Sequence, residues 1–292
     1  MKTKLAFVRL VPALMLLWMV SGFPHASAFA QGNLTPPGAP APTMKSLDQI
    51  ESRTAISSAP FTITQPGSYY LSSNITVSAG DALTINANNV TLDLNGFTIF
   101  STAPSAVGTA ILCNSRTNIS IFNGNISGGV TNSDGVFSGS GFSSGIFGAN
   151  GSANMRVTRV SVSGCLNSGI FIDDDGSVAQ FCTAASCGFA GIRAAVVSDC
   201  AAMNCGNYGI YSDVASNCRG TCFEAGTGVY AYSAAYNCSG WNYGSAPGYG
   251  VYSSYLATGC FGYSQGGTGL RAYIANSCYG SFVTATYKYN MP

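Results

Sequence analysis

The chain has 292 residues, 47% hydrophobic, 12% aromatic and only 8% charged, with twelve Lys and Arg against eleven Asp and Glu. Charge-driven disorder needs low hydrophobicity and high net charge, and neither is present; the scattered cations give no basic patch to neutralise nucleic-acid phosphates. The single histidine, His25, falls in a segment expected to be removed, so the mature chain has no imidazole. Ser-His-Asp catalysis, Cys-His catalysis and histidine-liganded metals are thereby excluded.

Lys2, Lys4 and Arg9 precede an apolar run from Leu10 to Phe23. About 14 residues fall short of the roughly 20 needed to cross a bilayer and match a signal-peptide core. Ala28-Phe29-Ala30 offers a cleavage site, with Ala26-Ser27-Ala28 as an alternative, so residues 1–30 are expected to be a signal peptide and the mature chain to begin at Gln31. Loss of Lys2, Lys4 and Arg9 takes the twelve cations to nine, a formal charge of −2. A secreted product, extracellular or periplasmic, is expected, with no nucleic-acid partner and no membrane span after signal removal. Residues 31–59, with Pro36, Pro37, Pro40 and Pro42, read as a linker and lead-in, in which 45–53 allow a turn or two of helix. Residues 60–292 then form a single all-β domain.

The first elements of that domain are alternating strands that end in Asn-Gly. Asn89-Val-Thr-Leu-Asp-Leu-Asn-Gly96 and Asn118-Ile-Ser-Ile-Phe-Asn-Gly124 start 29 residues apart, and Val157-Thr-Arg-Val-Ser-Val162 continues the series. Their period of two turns Val90, Leu92 and Leu94 inward and Thr91 and Asp93 outward. Asn89, Asn118 and Asn125 begin glycosylation sequons, but strands are poor acceptors.

From residue 145 a repeat dominates. Gly followed by Ile, Val or Leu recurs at Gly145, Gly169, Gly191, Gly209, Gly228, Gly250 and Gly269, in steps of 24, 22, 18, 19, 22 and 19 residues. Between them runs a second mark, Val-Ala-Gln-Phe-Cys182, Val-Val-Ser-Asp-Cys200, Val-Ala-Ser-Asn-Cys218 and their successors. Runs of three to five alternating residues separated by Gly, Asn and Ser are strands with turns. A unit of about 20 residues cannot bury its apolar face alone, so it must stack on its neighbours at about 4.8 Å, forming a parallel β-solenoid.

Phe61-Thr-Ile-Thr-Gln-Pro-Gly-Ser-Tyr-Tyr-Leu71, the Asn89–Gly96 strand and the Gly-Ile coils with inward Cys and Ala resemble secreted bacterial β-helix proteins of the pectin-lyase-like superfamily. The resemblance covers residues 60–292 and implies a single-stranded right-handed parallel β-helix, here of about ten coils. For activity it implies little, since the superfamily mixes lyases, hydrolases, epimerases and adhesins.

Seven cysteines, Cys165, Cys182, Cys200, Cys218, Cys238, Cys260 and Cys278, are expected in one row, with Cys187, Cys205 and Cys222 in a second and Cys113 apart. No pair of Cys-x-x-Cys marks supports zinc, and small buried thiols suit a narrow coil. Most of these thiols are expected to be reduced.

The second residue after each repeat Gly should face outward: Phe171, Arg193, Tyr211, Tyr230, Tyr252 and Arg271, followed two places on by Asp173, Tyr232 and Tyr273. Such a stripe either stabilises the ladder or contacts polysaccharide, with Phe171, Tyr211, Tyr230, Tyr232, Tyr252 and Tyr273 as the glycan-binding set. Asp173-Asp174-Asp175-Gly176 is the only acidic cluster. It reads as a solvated turn or, as the family's lyases imply, as carboxylates Asp173 and Asp175 holding Ca²⁺ while Arg193 removes a proton from a uronate. No other cofactor is implied, and the Gly-His-Gly segment of the polygalacturonase-like members is absent. Three readings stand: a non-catalytic glycan-contacting protein, a Ca²⁺-dependent uronate lyase, and a structural or adhesin-like rod.

Overall fold

The computed structural model describes residues 52–148, 151–172 and 176–291. Every regular element among them is a β-strand, from Thr54–Ile56 to Val283–Tyr289. No helix among the described residues is long and apolar enough to cross a membrane. The first strand lies ahead of the expected start at residue 60 and pairs in parallel with Gly67–Leu71.

The strands form three parallel ladders, which follow one another around each coil and are here called faces I, II and III. On face I one inward column runs Leu83, Ile111, Ile146, Ile170, Ile192, Ile210, Val229, Val251 and Leu270, each in register with the next. On face II the equivalent column is Leu92, Ile121, Val157, Ala179, Val197, Ala215, Ala235, Ala257 and Ala275. Face III tapers most: Ile75, Ile99, Ile126, Val162, Ala184, Ala202, Gly220, Gly240, Gly262 and Gly280. All-parallel pairing through successive coils makes the molecule a parallel β-helix, consistent with right-handed winding.

The taper has a steric cause. In the later coils the backbones of faces I and III touch: a Cβ placed on Gly220, Gly240 or Gly262 would overlap the carbonyl oxygen of Gly228, Gly250 or Gly269. Only glycine permits that approach. Coil length follows, because members of the face III column are 24, 27 and 36 residues apart from Ile75 to Val162 and 18 to 22 apart beyond it.

The 36-residue step accommodates a feature the repeat does not announce. Gly129–Ser133 and Val136–Ser140 form an antiparallel hairpin, turned by Asp134 and Gly135 with φ of 52° and 94°, the backbone that a two-residue Asp-Gly loop favours. Asn132 Nδ2 donates to Asn204 Oδ1 at 2.6 Å and ties the hairpin to a later coil.

The corner between faces II and III is left-handed in every successive coil: Asn123, Arg159, Phe181, Asp199, Asn217, Asn237, Gly259 and Ser277 all have φ between 50° and 63°. That conformation costs a residue bearing a Cβ about 1–2 kcal/mol, least for Asn and Asp. The short polar side chains also join successive corners, Asn217 Nδ2 donating to Asp199 Oδ1 at 3.1 Å and Asn237 Nδ2 to Asn217 Oδ1 at 3.4 Å. At the corner between faces I and II, Asn118 bonds Asn89 at 2.8 Å and Asn154 bonds Asn118 at 2.7 Å, so two of the sequon asparagines have a structural role.

All eleven cysteines are free and buried. Cys165 pairs in register with Cys187, which moves it from the first row, where it was expected, to the second. The rows are therefore Cys182, Cys200, Cys218, Cys238, Cys260 and Cys278, and Cys165, Cys187, Cys205 and Cys222; at the next coils of the second row stand Asn242 and Ser264. The thiols are not idle donors: Cys200 Sγ reaches Ser198 O and Cys218 Sγ reaches Ser216 O, each at 3.1 Å. Burial pushes the Cys113 thiol up to about 12 and raises Cys222 as well.

Candidate functional site

The outward column of face I is the most ordered surface feature. Phe147, Phe171, Arg193, Tyr211, Tyr230, Tyr252 and Arg271 are in register on consecutive coils. Phe147 and Phe171 stack at 5.1 Å between centroids. The Arg193 guanidinium lies 4.7 Å from the Phe171 ring and 4.3 Å from that of Tyr211. Tyr211 stacks on Tyr230 at 4.6 Å, and Tyr230 on Tyr252 at 5.1 Å, with interplanar angles of 8° and 7°. Arg271 closes the column 5.7 Å from Tyr252 and donates to Tyr249 Oη at 3.0 Å.

The strand spacing of the solenoid is close to the stacking distance of flat π systems, so a residue repeated at one coil position builds such a pile without further design. The consequence for recognition is specific. Within the pile, ring faces cover one another, and edges and hydroxyls are what reach water. Burial among these rings, and then the neighbouring Tyr211, raises the Tyr230 phenol.

Open ring faces occur beside the pile rather than in it. Tyr232, Tyr255, Tyr273 and Tyr287 are 51%, 55%, 46% and 47% exposed. They meet edge to face, Tyr232 with Tyr255 at 6.1 Å and Tyr273 with Tyr287 at 5.3 Å, which leaves flat surfaces free. Tyr273, Tyr252, Arg271 and Ser254 line a shallow groove of about 290 Å³ next to them.

The residues expected from the sequence therefore divide. Phe171, Tyr211, Tyr230 and Tyr252 are in the pile; Tyr232 and Tyr273 are in the open set. Asp173 and Asp175 lie outside the described residues. Arg193 is held between two rings, a cation–π packing role. Among the described residues no group of three or more His, Cys, Asp or Glu is arranged to hold a metal ion.

Face III carries aromatics that the sequence reading passed over. Arg219 lies 4.7 Å from the Trp241 ring, Trp241 meets Phe261 at 5.5 Å, and Tyr243 meets both Phe223 and Tyr263. Their signal was the Cys-x-Gly unit, with Trp241 and Tyr263 following Gly240 and Gly262 and Phe261 and Tyr279 preceding Gly262 and Gly280. The inward Gly forces its neighbours outward.

No family model and no curated protein matches the chain. Among solved structures, the crystal structure of Dettilon tailspike protein (gp208) aligns at 13% identity with a TM-score of 0.44, over 81% of this chain. The chain spans 60% of the length of that one. At this level of similarity no activity or ligand passes from one chain to the other.

Proposed function

We propose that the protein is a secreted, non-catalytic β-helix protein of the pectin-lyase-like kind that contacts polysaccharide or cell-surface glycans. Contact is made through the open tyrosines of the later coils. The observation that carries this reading is the placement of Tyr232, Tyr255, Tyr273 and Tyr287, four half-exposed rings with free faces, beside a groove containing the Arg271 guanidinium. Exposed aromatic clusters of this kind mark interaction surfaces, and a sugar's C–H face is attracted to the electron-rich face of a ring. Within the stacked column, Tyr211, Tyr230 and Tyr252 contribute hydroxyls at its outer edge and hold the platform straight. Export rests on the signal-like residues 1–30, and recovery of a mature chain beginning at Gln31 from the culture medium or periplasm would check it.

Retention on a glycan array tests the contact surface. The doubly substituted Tyr232→Ala/Tyr273→Ala protein should lose at least about tenfold in retention, equivalent to about 1.4 kcal/mol, with its melting temperature nearly unchanged. Failure of the parent protein to retain any glycan would overturn the reading in favour of a structural rod. Release of unsaturated uronate from a Ca²⁺-supplied polysaccharide panel would overturn it in favour of a lyase.

A further inference from the structure

The left-handed corner between faces II and III is filled by residues that tolerate it except at two successive coils, where Arg159 and Phe181 stand with φ of 52° and 54°. A bulky side chain in this backbone is an outlier, and such outliers persist at positions selected for something other than stability. These two interrupt the side-chain links between corners. Below them Asn123 Nδ2 turns to Asp93 Oδ1 at 3.1 Å, and above them the Asp199–Asn217–Asn237 chain begins.

Neither exception is absorbed by packing. Arg159 is exposed, and the Phe181 ring is 50% exposed. Together with Asn123, Asn125, Ser161 and Thr183 they line a shallow groove of about 310 Å³. Thr183 Oγ1 donates to Ser161 Oγ at 2.9 Å, which leaves the Ser161 proton available to a ligand. No carboxylate lines the groove. The nearby Asp93 is neutralised by Arg53 at 2.9 Å and by the Asn95 backbone N–H at 2.7 Å. Asp199, one coil beyond Phe181, accepts from Asn217.

A flat exposed ring, a cation, two amides and two hydroxyls around a shallow groove form a complementary set for one class of ligand. We propose that Arg159 and Phe181 form a second glycan subsite, on the II–III corner, for a pyranose ring bearing an anionic substituent. The ring would lie on Phe181, its anionic group would meet Arg159, and its hydroxyls would meet Ser161, Asn123 and Asn125. The subsite rests on the glycan-contacting reading and extends it to a different surface and a charged sugar.

The corner geometry makes the test two-sided. Phe181→Asn and Arg159→Asn each restore a residue the corner favours, so each should raise the melting temperature by about 2 to 4 °C. Each should also cut retention on immobilised heparin at least tenfold, with binding to dextran absent throughout and fully desulfated heparin separating sulfate from carboxylate recognition. Retention by the parent should fall as salt is added. Heparin retention unchanged in both Asn variants, or absent in the parent, overturns the subsite. Loss of neutral-glycan retention in Tyr232→Ala/Tyr273→Ala, with heparin retention untouched by Phe181→Asn, would overturn the subsite while leaving the tyrosine surface in place.

Discussion

The coils before residue 165 and those after it solve the same packing problem in opposite ways. The early coils are wide and filled by branched side chains, with Ile75, Ile99, Ile126 and Val162 in the face III column. The late coils are narrow, and the same column holds Ala and then Gly. Exposed aromatics follow the reverse trend: Tyr232, Tyr255, Tyr273, Tyr279 and Tyr287 all belong to the late coils. Burying an Ile contributes about 1.5 to 3 kcal/mol, and a Gly column forgoes that. The late coils are held by backbone ladders in close approach and by stacked rings outside, so large side chains there move to the surface, where they are available to a ligand.

That contrast can be broken most sharply at a glycine. Gly240→Ala would push a Cβ into the Gly250 carbonyl, and a loss of more than about 4 kcal/mol, read as failure to fold or a steep fall in chemical-denaturation midpoint, is expected. Ile126→Ala, in the same column of a wide coil, should cost about 2 to 5 kcal/mol through the cavity it leaves. Tyr230→Ala removes two stacking contacts and should cost about 1 to 3 kcal/mol, whereas Tyr273→Ala should stay within about 0.5 kcal/mol by the same denaturation assay. Equal losses for the two tyrosines would erase the distinction between pile and open surface.

The smallest effect is one of pH. Cys113 sits in a wide coil with its thiol raised from 9.0 to about 12 by burial. The folded chain therefore keeps a proton that the unfolded chain releases, and the associated stability is complete below about pH 9 and is lost progressively toward pH 12. At pH 10 the loss should be about 1.4 kcal/mol. In Cys113→Ala this part of the alkaline decline should disappear from the melting curve.

Much of this molecule is legible in its sequence because a solenoid writes its geometry as a period. The Gly-Ile mark located the outward column from Phe171 to Arg271 without a coordinate, since alternation fixes which side chains leave the coil. The Cys165 assignment failed for an equally simple reason. It lies 17 residues before Cys182 and 22 before Cys187, and both fit one coil, so only strand register separates the rows. The hairpin was announced by Asp134-Gly135 but interrupts the period. The exceptional corner at Arg159 and Phe181 depends on a backbone dihedral, which the residue types alone disguise.

The glycine column also determines how this chain can change length. A coil whose width is set by backbone against backbone cannot lose or gain one residue, but it can lose a whole turn. Ala201 and Arg219 are neighbours in one column, so excision of residues 201–218 would splice Cys200 to Arg219 and leave every later column in phase. A protein shortened in this way should stay folded and lose one storey of its tyrosine pile, whereas removal of any part of that segment should not be tolerated. The unit of inheritance in this part of the molecule is the turn, and the residues within it are bound to keep step.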